Sequence, residues 1–310
     1  MRTRERRISM RMETKALDKS FGSQKAISNA ALSIEPGTIH GLLGSNGAGK
    51  TTFMKLLAGV YKPDAGDVLY DGQEIFENPD IKDDVLFIHD VPYFFSGVSL
   101  NDMAAFYKGM YSNWSDKRFA QLTAHFKLDS KKTLSQLSKG MKRQASFVLA
   151  FSACPKVMLL DEPFDGLDPI VRHQVKNIMM QDIANHGMTV IASSHNLREM
   201  EDLCDSVSIM HKGELLFHRD LIEIKGTHCK IQVAFNTLPD QAFYEYLGVV
   251  HHEAKGRIVT CIVKGDLENI EKKVTQYNPL MYDILPLTLE EIFTYEMGEK
   301  GYEISNIIVE

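Results

Sequence analysis

Short apolar runs recur along the first part of this chain, each ending at a glycine or polar residue and each followed by a stretch with helical spacing. "TIHGLLG" (38–44) is one, and "KTTFMKLLAGV" (50–60) behind it sets apolar residues three and four apart, which predicts strand, loop, helix. "KVMLLDEP" (156–163) and "MTVIASSH" (188–195) are two more. Val157–Leu160 are continuously apolar, as in a parallel strand covered on both faces. Strands alternating with helices in this way predict an α/β fold around a parallel sheet. "LSKGMKRQ" (Leu137–Gln144) sets a Ser and a Gly at the head of a helical run, so a helix begins there. Between the first and second apolar strands, residues 94–128 predict at least two helices, the second capped by Ser115 after Trp114, and helical spacing assigns Phe94, Phe95, Phe106 and Tyr107 to a core.

After about residue 226 the pattern changes. "CKIQVAF", "PDQAFYEYL", "VVHHEAK", "GRIVTCIVKG", "DLENIEKKVTQY" and "MYDILPLT" alternate as strand, helix, strand, strand, helix, strand, the order of a split βαβ unit, with a closing helix from Leu289. His251 and His252 read as surface residues of that unit.

With 310 residues and 44% hydrophobic composition, the chain can bury a full core, enough for one large domain and a small one. A net charge of −6 and a pI near 6.0 argue against nucleic acid as a partner. Cys154, Cys204, Cys229 and Cys261 carry no zinc-like spacing and read as small buried hydrophobes of a reducing compartment. No apolar run approaches the roughly 20 residues that span a bilayer, so any membrane part belongs to another chain. The opening "MRTRERRISMRM" (1–12) carries Arg2, Arg4, Arg6, Arg7 and Arg11 but no apolar core of a secretory signal, and reads as a basic extension, with Met10 or Met12 as alternative starts.

The chemistry concentrates at the strand ends. "GSNGAGKT", Gly44 to Thr51, fills every fixed position of GxxxxGK[ST] between a strand and a helix. Glycines 44, 47 and 49 let the backbone turn its amides inward around phosphate, and the following helix points its N-terminus at the same place. Lys50 adds a point charge toward the outer phosphates and Thr51 a hydroxyl for Mg²⁺. Asp161 emerges at the carboxyl end of its strand, where open α/β sheets keep their ligands, and can hold Mg²⁺ through water. Glu162 is placed to polarise an attacking water as general base, and His195 closes a strand that faces the same crevice.

The order of these motifs, followed through "GLDP" (166–169) and "SSH" (193–195), resembles the ATP-binding cassette (ABC) ATPases over roughly residues 13–225. The resemblance implies a P-loop nucleotide-binding domain with an inserted helical subdomain at about 94–153 and, at 226–310, a small α+β C-terminal domain. It implies ATP and Mg²⁺ as cofactors. ATP would lie on Phe21 of "KSFG", stacked on adenine, and on Gly44, Ser45, Asn46, Gly47, Ala48, Gly49, Lys50, Thr51 and Thr52. Thr51, Asp161 and Asp90 of "LFIHD" would hold the metal, Asp90 standing where most members carry a Gln. Glu162 and His195 would be catalytic. Ser138, Lys139, Gly140 and Met141 would cap the γ-phosphate of a partner cassette, with Asp168 in the loop at the dimer interface. Lys139 and Met141 depart from the commonest signature, LSGGQ, while Ser138 and Gly140 keep it.

"LSKGM" together with "LTLEEIF" (287–293) is similar to the exporter-like branch. The implied partners are a second cassette, identical or paralogous, and a separate transmembrane permease whose short helix docks in a groove of the helical subdomain, which Phe94, Phe95, Phe106 and Tyr107 would line in the alternative to their core reading. The implied place is peripheral, on the cytoplasmic face of the membrane, with no nucleic acid partner. The alternative is a soluble ATP-gated switch of the same superfamily.

Overall fold

The computed structural model describes residues 9–293, so residues 1–8 of the basic extension lie outside the described residues. The chain divides into two compact units, one running to His195 and taking in Ser208–His218, the other made of Asn196–Val207 and the residues from Arg219 onward.

In the first unit, β1 (Met12–Phe21) and β2 (Gln24–Ile34) form an antiparallel hairpin. β3 (Ile39–Leu43) and α1 (Lys50–Leu57) follow, then β4 (Ala65–Tyr70) and β5 (Gln73–Glu74), which complete a four-stranded sheet in the order β2-β1-β4-β5. After a short α2 (Pro79–Lys82) come β6 (Val85–Ile88), β7 (Val157–Asp161), β8 (Thr189–Ser194), β9 (Ser206–His211) and β10 (Glu214–Asp220). With β3 they build a six-stranded sheet in the order β10-β9-β3-β8-β7-β6. Strands β3, β8, β7 and β6 run parallel, so their carboxyl ends share one edge. Every residue of β3, β7 and β8 is buried, which is why these strands appear as unbroken apolar runs rather than alternating ones. Phe53, Met54, Leu56 and Leu57 of α1 join one core with Leu17 and Ile27 of the antiparallel sheet and Leu159 and Ile191 of the parallel one.

Three helices fill the span between β6 and β7: α3 (Leu100–Met110), α4 (Asp116–His125) and α5 (Lys139–Ser152). Each begins at a serine whose hydroxyl accepts a backbone N–H of the first turn, Ser99, Ser115 and Ser138 respectively. α6 (Pro169–His186) follows β7, and its buried Asp182 takes the guanidinium of Arg118 from α4. Helical spacing had assigned Phe95 and Phe106 to a core, but both are 44% exposed, their rings meeting edge to face at 5.1 Å. Leu100, Met103 and Ala104 are the residues α3 turns inward.

On β3, His40 is fully buried beside the ring of His218, 5.2 Å between centroids. Burial, reinforced by His218, drives its pKa from the ordinary 6.5 down to about 3. The unfolded chain therefore takes up a proton that the folded chain refuses. The stability this site contributes is present above pH 6.5 and is lost as pH falls from there toward 3. Acidifying from about pH 7.5 to about pH 5 should cost roughly 2 kcal/mol through His40 alone, read as a fall in the urea midpoint that shrinks in His40→Leu. An equal fall in that variant would remove His40 as the cause.

In the second unit, α7 (Leu197–Glu201) and α8 (Leu221–Thr227) precede β11 (His228–Ala234), α9 (Gln241–Leu247), β12 (Val249–Lys255), β13 (Ile258–Lys264), α10 (Leu267–Thr275) and β14 (Met281–Leu285). The strands are antiparallel in the order β12-β13-β11-β14. Ile231, Val233, Val259, Cys261 and Val263 on one face pack with Phe243 and Leu247 of α9 and Ile270 and Val274 of α10. Residues 289–293 are helical, and Leu289, Ile292 and Phe293 are fully buried. The buried part of "LTLEEIF" is thus core, while its Glu291 pairs with Lys230 at 2.7 Å. His251 and His252 are exposed, His252 stacking on Tyr244 at 4.0 Å.

Candidate functional site

The loop between β3 and α1 opens a cleft of about 530 Å³ at the carboxyl edge of the parallel sheet. Two of its glycines are sterically required. A Cβ on Gly44 would lie 2.4 Å from the Met210 carbonyl, and Gly49 sits at φ 109 with the Ala26 carbonyl 2.9 Å from where its Cβ would be. Ala48 is buried on the underside of the loop, where its carbonyl accepts from the N–H of Gly213 at 2.8 Å. Gly213 and Lys212, both at positive φ, form the two-residue turn of the β9–β10 hairpin, and Lys212 lines the cleft.

Lys50 is 6% exposed and folds back over its own loop, donating to the carbonyls of Gly44 at 2.7 Å and Ser45 at 3.1 Å. Burial lowers its pKa against the pull of Glu162 and Asp161, so an anion arriving in the loop would restore stability to the cation. Thr51 donates to Asp161 Oδ2 at 2.8 Å, and Ser193 donates to Asp161 Oδ1 at 2.6 Å. Asp90 stands at the end of β6, its carboxylate beside the His89 ring, and one ligand atom from each of His89, Asp90 and Asp161 falls within 4.8 Å of the others. The Thr51 hydroxyl with the Asp161 and Asp90 carboxylates is an oxygen donor set that suits a hard divalent cation.

Glu162 follows at φ 44, in the left-handed region. Its amide donates to Ser193 Oγ at 3.1 Å. Its carboxylate lies between two basic groups, Oε1 at 3.5 Å from Lys50 Nζ and Oε2 at 3.0 Å from His195 Nδ1. Oε1 is buried, with the Lys50 ammonium group as its neighbour.

Phe21 is 46% exposed at the cleft mouth, its ring edge-on to Tyr61 at 5.4 Å. It lines one cavity with Ser45, Asn46, Gly47, Gly49, Lys50, Thr51, Thr52, Asp90 and Glu162. The signature residues stand apart from that cleft. Ser138 Oγ accepts from the Met141 amide at 3.2 Å, Lys139 pairs with Asp165 at 2.9 Å, and a Cβ on Gly140 would approach the Gly166 carbonyl to 3.3 Å. That ion pair is exposed on both sides, and it holds the Asp165 carboxyl below the usual carboxylate range. Asp168 caps α6, accepting from Ile170 and Val171 at 3.0 Å.

Lys212 lies outside every motif, and three further residues, Ser193, His89 and Arg143, sit within motifs that gave them no role. Arg143 alone carried a signal, since an arginine on the α5 face shared with Phe147, Ala150 and Phe151 is a charge at a core position. The arrangement as a whole can cradle a polyphosphate on backbone amides, hold a divalent cation beside it and present a carboxylate to a water at its end.

A family model described as ABC transporter matches residues 27–165. The chain is 30% identical over 289 residues to the ABC transporter ATP-binding protein YtrB of Bacillus subtilis (strain 168), covering 93% of this chain and 99% of that protein. A solved ATP-binding subunit of an ABC transporter shares the fold at TM-score 0.65 and 27% identity, over 69% of this chain and 91% of that one. A dimeric post-hydrolysis state of an ATP-binding cassette, bound to ADP and Pi, shares it at TM-score 0.62 and 19% identity, over 68% and 98%.

Proposed function

The chain belongs to the ABC transporter ATP-binding proteins, and from that premise we propose that it hydrolyses ATP to drive a separate membrane permease, working as one of two cassettes that close on two ATP molecules. The observation that carries the proposal is the Glu162 carboxylate, held between Lys50 and His195 next to the Thr51–Asp161 pair. In this reading the loop amides and Lys50 bind the phosphates, Phe21 stacks on the base, and Thr51, Asp161 and Asp90 hold Mg²⁺. The ion supplies charge neutralisation of the phosphate oxygens. Glu162 orients and deprotonates the attacking water, and His195, exposed and with Nδ1 3.0 Å from Glu162 Oε2, would contact the γ-phosphate.

The signature residues Ser138 to Met141 lie at the start of α5, outside the cleft that the loop of the same chain encloses. A helix N-terminus with free amides suits an anion, and the partner's ATP is the anion it would meet. A cassette of the same fold forms a dimer bound to ADP and Pi, which is consistent with two chains working together. Met110, Tyr111, Phe87 and Val60 line a second cavity of about 530 Å³. That surface suits the short permease helix. Export as the direction rests on the "LSKGM" and "LTLEEIF" resemblance, and the cytoplasmic membrane face on the need to reach both ATP and a permease.

Purification from detergent-solubilised membranes tests the proposal. A multi-span membrane protein should come with the chain. Stable association with ribosomes or DNA and with no such protein would establish the soluble ATP-gated switch instead.

A further inference from the structure

Arg143 is the largest of the fully buried side chains, 2% exposed, five residues after the Ser138 that begins α5. Its guanidinium reaches no carboxylate among the described residues and spends its donors on backbone carbonyls. One terminal nitrogen donates to His89 O at 2.6 Å, and the other to Glu162 O and, at 3.4 Å, to Asp161 O. All three acceptors lie where β6 and β7 leave the sheet, at the edge that carries the cleft. Burial opposes the cation, and the field of Asp90, Asp165, Asp161 and Glu162 supports it.

A buried arginine is costly to desolvate, and stability alone is served as well or better by an apolar side chain of the same volume. Its placement here answers a local backbone problem. Glu162 sits at φ 44, a conformation that needs support from its surroundings. The Ser193 hydroxyl holds its amide and Arg143 holds its carbonyl. The peptide frame is thereby fixed at both ends, and the carboxylate is aimed between Lys50 and His195. The His89 carbonyl at the end of β6 anchors the other side of the guanidinium.

We propose that Arg143 is a positioning residue for hydrolysis, which registers α5, and with it the signature residues at its start, to the backbone of Glu162. The inference rests on Glu162 as general base. Engagement of the α5 N-terminus by the partner's nucleotide is then felt directly at the residue that activates water. Lysine cannot reproduce the contact, because one ammonium group cannot span carbonyls on two strands as the planar fork does.

The test compares Arg143→Lys and Arg143→Met in the full chain. Both should lower kcat on the order of 10- to 100-fold, the scale of a slightly misplaced catalytic group. Affinity for a fluorescent ATP analogue should stay within about twofold of the parent, since the phosphate loop is untouched. In a Glu162→Gln background neither change should lower the residual rate further, because Arg143 acts through Glu162. If Arg143→Met does not fold, Arg143→Lys carries the measurement. Full turnover in Arg143→Lys, or nucleotide affinity that falls in step with kcat, overturns the inference. Should Glu162→Gln itself turn over normally, the base assignment has failed; should only the Arg143 variants do so, the inference alone has.

Discussion

Glu162→Gln should bind ATP and all but cease to turn it over, with kcat lower on the order of 10²-fold or more, the usual contribution of a general base. The amide keeps the size and the left-handed backbone of the original residue, so the supports at Ser193 and Arg143 stay in place. What disappears is the basic oxygen. A water at the γ-phosphate would give its proton to the Glu162 carboxylate, and an amide there cannot take it. The negative charge near Lys50 is lost as well, so a bound triphosphate no longer competes with a carboxylate 3.5 Å from that ammonium group. Nucleotide affinity should hold or rise. With ATP retained and hydrolysis stopped, the cassettes should accumulate as a closed pair, visible as a shift in size-exclusion chromatography with ATP and Mg²⁺. Undiminished phosphate release would take Glu162 out of its role.

Lys50→Ala should fail one step earlier, at nucleotide binding. Its ammonium group is nearly enclosed and has a depressed pKa with burial as the leading cause, a condition that a bound phosphate relieves. Charge-assisted hydrogen bonds of this kind are worth roughly 1.5–3 kcal/mol, equivalent to a loss of about 10- to 100-fold in ATP affinity. Part of the loss would come from the loop itself, since Lys50 also ties the Gly44 and Ser45 carbonyls together. Titration of a fluorescent ATP analogue checks the result, with the unfolding midpoint measured alongside to show that the domain is intact. Unchanged affinity in a folded variant would mean that the loop does not hold phosphate through Lys50.

Much of the site could be read from the chain because its chemistry is local. The phosphate loop is a run of backbone conformations that only glycine at particular positions permits, as the close approaches at Gly44 and Gly49 show. Asp161 and Glu162 are found at the end of β7 because a strand covered on both faces leaves an unbroken apolar run that points to its own terminus. Ser138 was recognisable as a helix start because a cap is a contact between neighbours in sequence. The same locality made strands and helices of residues 228–285 legible by period. It misled at Phe95 and Phe106, since period gives a face but not what covers it.

Lys139 shows the limit most directly. The resemblance gives it a place beside a partner's phosphate, while its pairing with Asp165, 26 positions away, is recorded in no local pattern. Nor did the chain announce that Asn196–Val207 join the second unit, since they follow β8 and run into the first two residues of β9. The sequence by itself determined the family, the glycine-rich loop, the carboxylates at the end of β7 and the points where helices begin, all of which depend on residues close together along the backbone. Only the tertiary structure decided that Phe21, Asp90 and Lys212 line the same cleft, and that Arg143 joins the carbonyls of His89 and Glu162. Those contacts depend on which strands become neighbours in the sheet, and packing among distant segments settles that where no local pattern records it.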